Sequence, residues 1–280
     1  MIEIITLVEN TAIRGGLKAE HGLSMLIKRS GDALLWDTGQ TDALLHNARL
    51  LGVDLGGIDK VALSHGHYDH AGGLEYLLDI ASPTVFAHPE IFRKRYSRLS
   101  YDGNLRYIGI KDREFYESKG AHFHLTDKPV EVMDGIFVLG YEQMHTDFEE
   151  VDKNFVYEKE GELLKDDVPD DTSLVIEMQN GIFILFGCAH RGIINIIDHA
   201  EAIFGRRVVG FLGGTHLGPA SSYQRNRTIE ELRKRSYITT IGANHCTGML
   251  MTSRLYCEFP DRVVFNNAGS VFRLDEFATF

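Results

Sequence analysis

The sequence predicts an α/β fold in which two mixed sheets pack face to face with helices on their outer faces. Three observations carry that expectation. Runs rich in β-branched and large apolar residues alternate with segments of helical periodicity, the alternation occurs in two comparable halves, and each half opens with runs that read as antiparallel pairs. No linker-like stretch separates the halves, so residues 1–280 read as one domain.

Taken in order, residues 3–8, 23–28 and 33–36 read as strands set off by polar or glycine residues. From 41 to 51, Leu44, Leu45, Ala48 and Leu51 recur at helical spacing, and Gly52 stands where a C-terminal cap would. A strand over 60–63 runs directly into the stretch LSHGHYDHAGGL. Leu74, Leu77 and Leu78 begin another amphipathic helix, Pro83 stops it, and 84–87 reads as a buried strand. Residues 97–129 lack clean periodicity and read as an elaboration on the scaffold. Strand character resumes over 130–139, and 174–178 with 182–186 makes a hairpin around the turn pair Asn180-Gly181. Ile193, Ile194, Ile197, Ala200 and Ile203 form a helix stripe, and 208–212 is a strand. Thr228 with Glu231 reads as a capping box for a helix through Arg235, and a short strand over 237–241 leads to Ala243-Asn244-His245.

Composition narrows the function. At 44% hydrophobic and 25% charged residues the chain has the make-up of an ordinary folded protein. A net charge of -11 advertises no surface for nucleic acid or anionic membrane. Much of the excess is local, with eleven acidic residues against three lysines over 147–171, which reads as a solvated loop or hairpin. No secretory leader and no apolar run long enough to span a bilayer are recognisable, so the expected location is the cytoplasm and the expected partner a small-molecule substrate. Three widely spaced cysteines, Cys188, Cys246 and Cys257, fit local chemistry in a reducing compartment better than a disulfide framework.

The chemistry concentrates at His65, His67, Asp69 and His70. Three imidazoles and a carboxylate within six residues suit a divalent cation among them, and Gly66, Ala71, Gly72 and Gly73 let the backbone turn tightly around it. Other candidate donors also stand just after strand runs: Cys188 and His190, then His216, then His245. In an irregular loop His65 and His67 can grip one ion while Asp69 and His70 turn toward a second. Two ions about 3.5–4 Å apart share a water, lower its pKa toward about 7 and offer hydroxide to an ester or amide at neutral pH.

The stretch HGHYDH, with Asp37 in LLWDTG upstream, resembles the metallo-β-lactamase superfamily. GCAHRGIINII, GGTHLGPAS and ANHCTG resemble the branch that includes the dihydropterin ribofuranosylaminobenzene phosphate synthase of methanopterin biosynthesis. The resemblance implies an αββα sandwich with a dinuclear site between the sheets. It implies that His65, His67 and His190 hold the first metal, that Asp69, His70 and His245 hold the second, and that Asp37 braces the metal loop. The sequence departs from the family where a bridging aspartate is usual, because that place is Gly187-Cys188. Cys188 either bridges as a thiolate, a soft ligand favouring zinc or iron, or is a small hydrophobe lining the site. The separate third-motif histidine is also missing before Ser173, where Asp170 and Asp171 stand.

The expected activity is that of a metal-dependent hydrolase carrying two divalent ions, zinc first and iron or manganese as the other candidates, on a small-molecule ester, phosphoester or amide. Asp69 and His216 are the expected catalytic residues, His216 as a proton donor or substrate-orienting group. Two other readings stand beside it: a synthase-like transferase joining a pterin diphosphate to a ribofuranosylaminobenzene phosphate, and an iron-dependent redox protein. Against the last, the diiron oxygen-reducing relatives carry a glutamate where this chain has His67. His88 with Arg93, Lys94 and Arg95 reads either as a holder for a substrate phosphate or as an exposed helix face, while His21, His46, His145 and His199 have no partner recognisable in the sequence.

Overall fold

Alternation along the strands decides the layering of the molecule. In Ser24–Arg29, Met25 and Ile27 face one way and Leu26 the other; in Asp32–Trp36, Leu34 and Trp36 oppose Leu35; in Gly181–Phe186, Phe183 and Leu185 oppose Ile182, Ile184 and Phe186. Because both faces are apolar, each sheet has to be covered on both sides. The computed structural model, which describes residues 1–98 and 103–274, does this with three apolar layers. Met25, Ile27, Leu34 and Trp36 meet Leu174, Ile176, Phe183 and Leu185 between the sheets. Leu26 and Leu35 pack outward under Leu44, Ala48, Leu74 and Leu77. Ile182, Ile184 and Phe186 pack outward under Ile193, Ile197, Ile229 and Leu255. Each such fully buried side chain contributes about 1.5–3 kcal/mol. The result is the αββα arrangement expected from the sequence.

The first sheet runs in the order Val271–Leu274, Ile2–Val8, Ser24–Arg29, Asp32–Trp36, Lys60–Ala62, Thr84–Ala87, His122–Leu125. It is antiparallel through Asp32–Trp36 and parallel beyond, where helices make the crossovers. The second runs Thr240–Asn244, Val208–Gly214, Gly181–Phe186, Ser173–Met178, Ile136–Val138, Val130–Met133, and mixes parallel and antiparallel pairs in the same way. The Trp36 indole nitrogen donates to Phe186 O at 3.2 Å, tying the two sheets near their shared edge.

A third, wholly antiparallel sheet was not foreseen. Its order is Glu162–Lys165, Phe155–Lys159, Arg95–Arg98, Leu105–Tyr107. The first part of the aperiodic elaboration and the acidic segment therefore belong to one structure, the latter as a hairpin, while His122–Leu125 of the elaboration joins the first sheet; residues 99–102 lie outside the described residues. Two element boundaries also differ from expectation. Ser221 caps the helix Ser222–Lys234 by accepting from Gln224 N, so Thr228 lies buried in mid-helix and Glu231 pairs with Lys234 and Arg235 rather than forming a capping box. The last strand of the second sheet is Thr240–Asn244 because parallel pairing, Gly210 with Thr240 through Gly214 with Asn244, sets its extent, and His245 follows at once. Among the described residues no helix is long and apolar enough to cross a membrane.

Candidate metal centre

Five chain segments converge at one edge of the sheet pair. Ser64 to His70 follow the strand Lys60–Ala62, Cys188 to Arg191 follow Gly181–Phe186, His216 follows Val208–Gly214, His245 and Cys246 follow Thr240–Asn244, and Glu9 and Asn10 follow Ile2–Val8. Four residues here, Asp37, Ala189, His216 and His245, hold left-handed φ of 50–54°. Backbone strain of this kind in non-glycine residues gathers where the surroundings over-determine a functional geometry.

Hydrogen bonds around the rim fix the histidine tautomers. Buried Asp37 accepts from Ser64 N at 2.7 Å, Ser64 Oγ at 2.8 Å and His70 Nδ1 at 2.7 Å. With its proton given to Asp37, Ser64 Oγ accepts from His65 Nδ1 at 2.8 Å. His245 Nδ1 donates to Asn10 Oδ1 at 2.9 Å. His65 and His245 are thereby left with an Nε2 lone pair facing inward, and His70 turns its Nε2 inward as well, the arrangement by which outer partners orient metal-binding imidazoles. The backbone is tied as well, Asp69 O accepting from Leu23 N and His70 O from Thr38 N.

Two groups of donors result. In the first, His65 Nε2 lies 3.0 Å from His67 Nδ1 and 3.2 Å from His190 Nε2. In the second, His70 Nε2 lies 3.0 Å from His245 Nε2 and 3.1 Å from Cys188 Sγ, and Asp69 Oδ2 lies 3.4 Å from His245 Nε2 and 3.8 Å from His70 Nε2. Where these nitrogens carry no hydrogen, lone pairs held this close repel unless a cation lies among them. Zinc–nitrogen bonds of about 2.0–2.1 Å in a tetrahedral site put donors about 3.3 Å apart, so the spacing fits a metal ion. His67 Nε2 and His190 Nδ1, buried, have no partner among the described residues.

Protonation separates the groups. Burial, with the neighbouring imidazoles, pulls His65 and His190 well below the usual histidine range, and burial with the Arg95 charge takes His67 down to about 3. Burial pulls His70 down too, but Asp37 and Asp69 outweigh it and lift it to about 9. His216 and His245 are lowered to about 4, chiefly by burial. Asp69 is held well below the carboxylate range: burial pushes it up, and His70, His21 and His245 more than offset that. Burial, then Cys246, raises the Cys188 thiol.

His65, His67, Asp69, His70, Cys188, His190 and His245 are thus brought together, and His216 stands beside them, its ring 4.4 Å from that of His190. Asp170 and Asp171 belong to neither donor group. Asp170 Oδ2 accepts from Gly66 N at 2.8 Å and the carboxylate is clasped by buried Arg95; Asp171 Oδ2 accepts from Arg191 N at 2.9 Å. Gly66 must be glycine, because a Cβ there would lie 1.9 Å from Ile91 O. Arg95, buried between Asp166 and Asp170, pins the third sheet to the metal loop, and Arg93 lies on Glu90 and Tyr157. His88 accepts from Glu90 N in a tight turn. His88, Arg93 and Arg95 are thus engaged by the protein itself rather than set out as a phosphate holder or a helix face, while Lys94 is exposed.

Several site residues escaped the sequence. His21 Nε2 lies 3.1 Å from Asp69 Oδ2, and its ring is 5.0 Å from that of His245. Phe155, from the third sheet, sets its ring 5.2 Å from His67, 5.3 Å from His190 and 6.0 Å from His216. With Ser97, Arg106 and Ile108 these residues wall a cavity of about 280 Å3 that opens onto both donor groups.

Comparison with known proteins bears on the fold and the family. The family described as the Metallo-beta-lactamase superfamily matches residues 17–235. An uncharacterized protein of Methanocaldococcus jannaschii is 34% identical over 258 residues, covering 91% of this chain and 93% of its own. The 7,8-dihydropterin-6-methyl-4-(beta-D-ribofuranosyl)-aminobenzene-5'-phosphate synthase of the same organism is 30% identical over 284 residues, covering 97% and 96%. A crystal structure described as a metal-dependent hydrolase of the beta-lactamase superfamily superposes with a TM-score of 0.85 at 29% identity, covering 98% and 99%.

Proposed function

The chain belongs to the metallo-beta-lactamase superfamily, and from that premise we propose that it is a metal-dependent hydrolase with two divalent ions, acting on a small molecule through an ester, phosphoester or amide bond. The observation that carries this reading is the two donor groups, joined through His65, His70 and Cys188, that border one cavity. His65, His67 and His190 would hold one ion, and Asp69, His70, His245 and Cys188 the other. Ions there would supply an activated water and polarise the bond to be broken.

The chain's own residues do the rest. Neutral His216, lowered to about 4 by burial, offers an imidazole that orients the substrate or passes a proton at the first donor group. Phe155 screens that group from bulk water. Arg106, which stacks on Tyr68 and lines the cavity, suits an anionic substrate group such as a phosphate.

A transferase is the second reading, favoured by the 30% identity to the synthase along nearly the whole chain. There the same ions would polarise a phosphate leaving group while a second substrate, rather than water, attacks. Turnover of a panel of esters, phosphodiesters and lactams in 18O-labelled water separates the two. Incorporation of label into product, dependent on added metal, supports hydrolysis. Turnover that requires a second organic substrate and leaves the label in water supports transfer, and metal-loaded protein inert under both conditions overturns the enzymatic reading.

A further inference from the structure

Cys246 has no role in the reading above, yet the fold builds a place for its sulfur. Its Sγ belongs with Cys188 Sγ and a His245 ring nitrogen to a set of donor atoms all within 4.8 Å of one another. The side chain is half-buried and lines the same cavity. His216, in the left-handed region at φ 50°, turns its backbone N–H onto Cys246 Sγ at 3.2 Å. That contact and one to Cys188 O at 3.5 Å hold the sulfur at the cavity wall. Position 214 is shaped for the sulfur as well: a Cβ on Gly214 would lie 2.6 Å from Cys246 Sγ.

We propose that Cys246 is a second sulfur donor to the ion held by Asp69, His70, His245 and Cys188. This rests on the two-ion reading above and sharpens it. A centre with two thiolates and two imidazoles beside the Asp69 carboxylate is softer than one without sulfur and favours zinc or ferrous iron over manganese or magnesium, whereas the all-histidine group beside it makes no such choice. Binding displaces the thiol proton to solvent, with no change of oxidation state.

The test is cobalt(II) loading of the full chain, read by the near-ultraviolet sulfur-to-cobalt charge-transfer absorption, a signal that nitrogen and oxygen donors do not give. Per bound cobalt, Cys246→Ser and Cys188→Ser should each lose about half of that absorption, the double variant all of it, and Cys257→Ser none. Zinc should bind Cys246→Ser about tenfold more weakly, with manganese affinity unchanged. Should a serine variant fold poorly, alkylation of the wild-type protein read by mass spectrometry serves instead: Cys246 should be protected by zinc and released by chelation, while exposed Cys257 reacts equally in both states. Full charge-transfer intensity in Cys246→Ser, or equal labelling of Cys246 with and without zinc, overturns the proposal and leaves the two-ion reading standing. Wild-type protein that takes up no cobalt overturns both.

Discussion

The two donor groups sit side by side at one sheet edge and are built on opposite principles. His65, His67 and His190 are nitrogen donors only, buried, and neutral far into the acid range because burial and mutual proximity forbid charge. Asp69, His70, His245 and Cys188 mix oxygen, nitrogen and sulfur, and two carboxylates keep His70 protonated to about 9. Half-exposed His21 opens this second group to solvent from one side. The first group is therefore preset to receive an ion without a change of protonation, and the second has to release protons to do so. Proximity in the fold does not make two half-sites equivalent.

Removing one ligand from each group tests that division most severely. His67→Ala should empty the first site and leave the second filled, His70→Ala the reverse, and turnover should fall by more than about a hundredfold in both, beyond the effect typical of outer-sphere changes. Elemental analysis alongside the assay reads both effects; equal metal loss from both sites in either variant would mean the groups act as one.

Acidity should split the groups next. His70 has a raised pKa, so at neutral pH it carries a proton in the metal-free fold, and a metal must displace it. Affinity at the second group then rises by about tenfold per pH unit up to about 9, and again for the Cys188 proton. The first group, with His67 already neutral above about 3, should be flat over the same range. Metal content after dialysis in steps from pH 8 to pH 5 should show the second site emptying first, and simultaneous loss would break the comparison.

Asp37→Asn is expected to act more mildly and on one side. The amide cannot accept from both His70 Nδ1 and Ser64 Oγ on the same oxygen while also serving Ser64 N. His70 is freed to turn, and metal affinity at the second group should drop about 10- to 100-fold, with the first affected only through Ser64 and His65. Competition with a chromophoric chelator measures the two constants separately. The smallest effect belongs to Phe155→Ala, which removes a ring from the first group without touching a donor. A loss of about 1 kcal/mol, seen in KM with metal content unchanged, is the expected outcome; a change in metal content would make the phenylalanine part of the centre itself.

Much of this was legible in the sequence because it depends on near neighbours. The cluster His65, His67, Asp69, His70 is local, its tight turns are written as glycines, and the strands announce themselves as apolar runs because both faces of each sheet are covered. Residue types and their positions after strands sufficed to nominate Cys188, His190, His216 and His245, and periodicity was enough for the αββα layering. Contacts between distant segments were another matter. His21 comes within 3.1 Å of Asp69 where Leu23 N also bonds Asp69 O, and nothing near His21 in the chain hints at it. Arg95 reads as one of three exposed cations until Asp166 and Asp170, more than 70 residues later, bury it. Cys246 looks like a bystander to His245 until His216 N and Gly214 come around it. The physical reason is that hydrophobic periodicity and turn chemistry act over a few residues and are read directly from the chain. Which donors face one another is set by contacts between segments far apart in the chain, as in the bond from His245 N to the Glu9 carboxylate 236 positions away, and only the folded chain decides that.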